Sequence, residues 1–129
     1  YFLSILLIIR IERIPDFLEK TIPAMENIAG ESIVYTFGHL GDGNLHFTKK
    51  QPENMNGDEF MQFSNQINNI VYEIVETLGG SFSAEHGIGS KLKEDLVKFS
   101  DPSKMDLMKK IKNALDPKNI MNPNKIIDP

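Results

Sequence analysis

The chain contains no cysteine and no tryptophan. Without cysteine there is no disulfide framework, so stability comes from packing, which fits a reducing compartment. Basic charge is also in short supply: 14 Lys and Arg stand against 18 Asp and Glu, for a net charge of -4. There is no basic stripe of the kind a nucleic-acid binder needs, which excludes nucleic acid as the expected partner. The apolar run Tyr1 to Ile9 ends at Arg10. That is far short of the roughly 20 residues of a membrane span. The run also lacks the basic flank and small-residue cleavage site of a signal peptide. It reads as a buried strand or helix end, or as a segment that packs against an upstream domain. Internal repeats and low-complexity stretches are absent.

What is there is ordinary for a globular protein. The 129 residues are 40% hydrophobic and 25% charged, enough for one domain with a modest core. Because the first residue is Tyr1 and not Met, the chain is expected to be a fragment or a processed product.

Apolar periodicity predicts a helix over residues 15 to 29, with Pro15 at its start, Pro23 kinking or splitting it and Gly30 closing it. Ser32 to Phe37 is β-branched and aromatic and predicts a strand. Gly41-Asp42-Gly43-Asn44 has turn chemistry, with Asp42 a turn residue, and a second strand is expected over 44 to 48. Phe60, Phe63, Ile67, Ile70, Val71, Ile74 and Leu78 form one stripe and predict a single helix from Asp58 to Leu78. A short strand over 81 to 83, a helix from about Ser90 to Phe99 and a last helix capped by Asp101-Pro102 follow. Met105, Met108, Ile111 and Leu115 are its expected buried face. The proline-bearing tail from Asp116 reads as an extended arm. This order predicts an α+β fold, with a largely antiparallel sheet and helices on one face.

All three histidines, His39, His46 and His86, lie in glycine-rich loop segments. His39 and His46 flank one turn, so the two arms of a hairpin would bring them together. Two imidazoles and one carboxylate form a common metal set with a position left open, which nominates His39, His46 and Glu85 as ligands. His86 is then the general base, since imidazole changes charge near neutral pH. The same residues also have plain structural readings: the glycines as tight turns, the histidines as strand caps, and Glu85 and His86 as caps of the following helix. Gly41-x-Gly43 and Gly87-x-Gly89 are each half of a dinucleotide fingerprint and lie in no βαβ unit.

Three runs occur in order: Phe37-Gly38-His39-Leu40-Gly41-Asp42-Gly43-Asn44-Leu45-His46, then Ser83-Ala84-Glu85-His86-Gly87-Ile88-Gly89 with Lys91, then Leu115-Asp116-Pro117-Lys118-Asn119-Ile120-Met121-Asn122-Pro123-Asn124-Lys125. Together they resemble the C-terminal domain of the FAD-linked oxidases related to D-lactate dehydrogenase, D-2-hydroxyglutarate dehydrogenase and the glycolate oxidase flavin subunit. The resemblance is clear from Ser32 to Ile126 and looser over residues 13 to 30. It implies that residues 1 to 129 are the second half of that domain, without the N-terminal domain that holds most of the FAD. It further implies a divalent metal, zinc or manganese, at His39, His46 and Glu85, with His86 as base and Asn122 near the flavin. Two positions depart from the pattern. Asn124 stands where the closing motif has Gly, and Asn tolerates positive φ. Thr48 stands where some 2-hydroxyglutarate enzymes carry Asn, which weakens that substrate assignment.

The expected reaction is oxidation of a small D-2-hydroxy acid, such as lactate or glycolate, to the 2-oxo acid. His86 accepts the hydroxyl proton and hydride passes to the flavin. The expected partners are the substrate and an FAD-binding domain or chain, and a homo-oligomer is compatible with the reading. The isolated chain is expected to be inactive. The expected location is cytoplasmic, with peripheral attachment to the inner membrane as the outer case. Two other functions fit parts of the sequence: an interaction module surviving without its flavin domain, and a metal-dependent hydrolase. The run from Leu115 to Lys125 argues against the hydrolase, which has no use for it.

Overall fold

The computed structural model describes residues 1–39 and 41–128; Leu40 of the first motif and the terminal Pro129 lie outside them. The chain divides into two compact units, Tyr1–Glu85 and His86–Pro129.

The first unit is an antiparallel sheet with helices against one face. The apolar N-terminal run forms strand β1, Phe2–Ile8. A single 3-10 turn, Ile11–Arg13, leads into helix α1, Ile14–Ala29. Strands β2, Val34–His39, and β3, Asn44–Lys50, make the expected hairpin. Strand order is β1-β3-β2, so β3 is central and pairs antiparallel with both neighbours. Helices α2, Gly57–Gln62, and α3, Ser64–Thr77, complete the unit.

Period-two alternation divides the sheet cleanly. Ile5 and Leu7 of β1 with Leu45 and Phe47 of β3 are buried on one face. There they meet Phe17 of α1, whose ring stands edge-on to Phe47 at 5.0 Å, and Ile67, Val71 and Val75 of α3 are buried in the same unit. Lys49 falls on the buried side of β3 as well. The residue is 1% exposed, and its ammonium donates to the Gly30 carbonyl at 2.8 Å. Burial pushes its pKa down, and the Glu26 carboxylate opposes that shift. The opposite face, carrying Phe2, Ile8, Tyr35 and Phe37, is exposed.

Of the kink or split expected at Pro23, the split does not occur, and α1 runs unbroken through it. Both Pro23 and Glu19, whose carbonyl it cannot pair, are exposed, on the side of the helix where solvent can satisfy such a group. The single helix expected from Asp58 to Leu78 is instead two. Phe63, at φ -84 and ψ -6, ends α2, and its N–H bonds back to the Phe60 carbonyl at 3.1 Å. The apolar stripe runs through this break because both helices pack on the same core, so periodicity could not reveal it. Asn56 and Glu59 form a reciprocal capping box at the start of α2. The strand expected over 81 to 83 reduces to one bridge, Ile8↔Ser81, closed by two 2.8 Å backbone hydrogen bonds.

The second unit contains helices α4, Lys93–Phe99, and α5, Pro102–Leu115. Asp101 caps α5 by accepting from the Ser103 and Lys104 amides, as its sequence implies. Its expected buried face is buried only in part, with Met108 half-buried. Met105 is covered, but Ile111 is exposed and Leu115 is 73% exposed. Helical spacing puts these residues on one side, and a unit this small has little apolar surface to lay over them.

The tail is not an extended arm. Asp116, itself buried, gathers it into turns by accepting from the Ile120 amide at 2.9 Å, the Met121 amide at 3.0 Å and the Lys112 ammonium at 2.5 Å. The Ile126 amide bonds the Gly89 carbonyl at 2.8 Å, and Ile127 is buried. Asn124 takes φ 62, the left-handed conformation expected of an Asn in glycine's place. The Lys112 hydrogen bond and the two amides hold the Asp116 carboxyl below the usual carboxylate range, against the opposing effect of burial. A depressed folded-state pKa stabilises above the unfolded value of about 3.9, and that stabilisation is lost as pH falls through the folded value. Asp116→Asn should therefore be less stable than the parent at pH 7, with the gap closing as the medium is acidified. Urea unfolding at several pH values checks this; a gap independent of pH would contradict it.

Candidate metal centre

The strand register decides which side chains meet. Phe37 pairs with His46, and His39 with Asn44, across β2 and β3. Leu6 and Ile8 of β1 flank His46 and Asn44 on the other side. These residues therefore share the open face of the sheet, and His39 and His46 are diagonal neighbours on it. The turn that joins them depends on two glycines. A Cβ on Gly38 would lie 2.0 Å from the Asn44 carbonyl oxygen, and one on Gly43, at φ 72, would lie 2.4 Å from that of Ile9. Gly43 also accepts from the Ile9 amide at 3.0 Å, tying the turn to the end of β1. Asp42 accepts from the Asn44 amide at 3.0 Å, the side-chain turn expected of it.

Glu85 arrives from the other direction. Beyond the Ile8↔Ser81 bridge the chain passes buried Phe82 and reaches Glu85 at the same face. One ligand atom from each of His39, His46 and Glu85 lies within 4.8 Å of the others. The structure thus brings together the three residues nominated as ligands. His86 follows Glu85 in the chain, begins the second unit and has an exposed side chain. Asn122 lies in the second unit, exposed, at φ 46.

The donor set suits a borderline divalent ion such as zinc, manganese or iron(II). His46 Nε2 stands 3.4 Å from Glu85 Oε1. Two ligands of a tetrahedral ion with bonds of 2.0–2.2 Å are also about 3.4 Å apart. The widest separation in the group exceeds that edge, so one side chain must rotate inward to bind. The Glu85 carboxyl is held below the usual carboxylate range, first by a hydrogen bond from the Asn44 amide, with burial opposing and His46 adding to it. It is therefore a ready anion opposite two imidazoles.

Two residues of the site went unassigned from sequence. The Phe37 ring stacks on the His46 imidazole at 4.9 Å and 17°. Asn44, the first residue of β3 as expected, had no site role assigned, yet it donates from Nδ2 to Glu85 Oε1. The signal was the two-residue strand period, which puts 37 with 39 and 44 with 46.

Comparison with known proteins shows the family. The family model for FAD linked oxidases, C-terminal domain, matches residues 9–126. The chain belongs to this family. A D-2-hydroxyglutarate dehydrogenase of Stutzerimonas stutzeri is 37% identical over 122 residues, covering 92% of this chain and 25% of that protein. The mitochondrial D-2-hydroxyglutarate dehydrogenase of Bos taurus is 35% identical over 113 residues, covering 87% and 19%. A D-lactate dehydrogenase of Archaeoglobus fulgidus is 38% identical over 92 residues, covering 71% and 19%. The chain thus spans a quarter or less of the length of these relatives. As a family member it shows the expected α+β arrangement with an antiparallel sheet. Among the described residues no helix is long and apolar enough to cross a membrane.

Because the Gly43 turn carries both histidines, Gly43→Ala should cost more than about 1 kcal/mol of stability, since alanine at positive φ is strained. It should weaken divalent-metal binding as well. Denaturant unfolding and a zinc titration test this together; an alanine variant as stable as the parent would show that the turn tolerates a side chain.

Proposed function

We propose that this chain supplies the metal-binding and acid–base part of an FAD-dependent dehydrogenase that oxidises a small D-2-hydroxy acid to the 2-oxo acid. The observation that carries the proposal is the convergence of His39, His46 and Glu85 on one sheet face. The names of the relatives, hydroxy-acid dehydrogenases throughout, point to the same substrate class.

A divalent ion held by these three residues would supply a Lewis acid that makes a substrate hydroxyl easier to deprotonate. FAD, held mainly by a domain or chain other than this one, would supply the hydride acceptor. The chain's own residues have separate tasks. His39 and His46 offer neutral nitrogen donors and Glu85 a negative one, so the set leaves positions free for substrate oxygens. Phe37, stacked on His46, fixes the plane of that imidazole. His86 takes the hydroxyl proton on an imidazole nitrogen. Asn122 would lie near the flavin when it is bound. Whether the parent chooses lactate, glycolate or 2-hydroxyglutarate rests on residues that contact the rest of the acid; Thr48, on the site face, is already engaged with the Ser4 hydroxyl at 2.9 Å.

Metal content of the purified chain, measured by mass spectrometry, tests the ligand set. The parent should carry stoichiometric zinc, manganese or iron, and His39→Ala and Glu85→Ala should lose it. A parent empty under metal-replete conditions would overturn the metal assignment. The base is tested in the complete flavoenzyme, where His86→Ala should lower turnover by about 10² to 10⁴ while metal content stays at the parental level. Turnover within threefold of the parent would remove His86 from the mechanism.

A further inference from the structure

Glu85 is the least anchored member of the metal group. The two histidines sit on paired strands, whereas Glu85 lies beyond the last backbone pairing of its segment, at Ser81, and its side chain is exposed. A carboxylate in that position would sample several rotamers, and each imidazole would wait for it. Two side chains of the sheet reach it, and the nearer is Asn44. Asn44, only 8% exposed and central in the register between His39 and Ile8, donates from Nδ2 to Glu85 Oε1. This is the oxygen that also faces His46 Nε2 at 3.4 Å.

The rest of the Asn44 side chain makes no competing hydrogen bond among the described residues. Its Oδ1 is buried and has no hydrogen-bond partner among the described residues. A polar group buried only to stabilise the fold would be satisfied at both ends. Rotating the amide by half a turn would set Oδ1 against the carboxylate, so Glu85 itself dictates which way the amide points.

We propose that Asn44 is a positioning residue for the metal centre: it presets the Glu85 carboxylate opposite His39 and His46 before any ion arrives. This rests on the assignment of His39, His46 and Glu85 as metal ligands. Groups that orient a ligand from outside the coordination shell typically change metal affinity by about 10- to 100-fold when removed.

The test is a zinc titration of the 129-residue chain against a chromophoric chelator, with apo-state thermal unfolding measured beside it. Asn44→Leu keeps the approximate volume and removes the donor. It should bind zinc about 10- to 100-fold more weakly while the apo chain unfolds at nearly the parental temperature. In a Glu85→Ala background, where only the residual affinity of the two histidines remains, adding Asn44→Leu should change affinity less than about twofold. Asn44→Ser, too short to reach Glu85, carries the same expectations should the leucine variant fail to fold. Equal zinc affinity in parent and Asn44 variants would overturn the proposal, and so would a loss that persists undiminished without Glu85, because Asn44 would then act elsewhere. A parent that binds no zinc is a separate result: it would overturn the ligand assignment and this proposal with it.

Discussion

The register of β3 between its two neighbours is the constraint on which the first unit depends. With Phe47 opposite Ile5 on one side and Thr36 on the other, every odd-numbered residue of β3 points into the helices and every even one away. Phe47 packs its ring on Phe17, and Leu45 and Lys49 are buried beside it. A slip of one residue would send His46 into the core and Phe47 to the open face. The core therefore does more than stabilise. By fixing which residues point inward, it fixes which face His39 and His46 occupy. Gly38 and Gly43 serve the same register, since each leaves room for a carbonyl that a side chain would displace.

The open face has a different chemistry from the buried one. It combines aromatic surface, with Phe37 60% exposed, and a cluster of one carboxylate and two imidazoles. Exposed apolar surface beside convergent polar groups is characteristic of surfaces that meet another molecule. The proposed division of labour, with the flavin held elsewhere and the ion here, fits a face of this kind.

Much of this was legible in advance. The hairpin from 34 to 50 was visible because β-branched and aromatic residues flank a Gly-Asp-Gly-Asn turn, and the cap at Asp101 because Asp-Pro opens helices. The grouping of His39, His46 and Glu85 was readable because few residue types bind a borderline ion and two of them bracketed that turn. What could not be read depended on surroundings. Pro23 is tolerated because its side of α1 faces water. The break at Phe63 leaves the apolar stripe intact. Ile111 and Leu115 have helical spacing without a surface to cover them. Asn44 was legible as the start of a strand, but its reach to Glu85 depends on where the chain beyond Ser81 lies and leaves no mark in the sequence pattern. The fold of the tail around Asp116 depends on a buried carboxylate meeting backbone amides, which leaves no trace in hydrophobic pattern.

The single Ile8↔Ser81 bridge has a consequence for the order in which the site can assemble. His39 and His46 are joined by a short hairpin and can approach each other as soon as that hairpin forms. Glu85 joins them only when a chain segment some five times longer closes, at an extra entropic cost of roughly 1.5 kcal/mol. A folding chain would thus hold two nitrogen donors early and gain its carboxylate late. Tight capture of an ion would then mark completion of the first unit, and a partly folded chain would release the ion it had met.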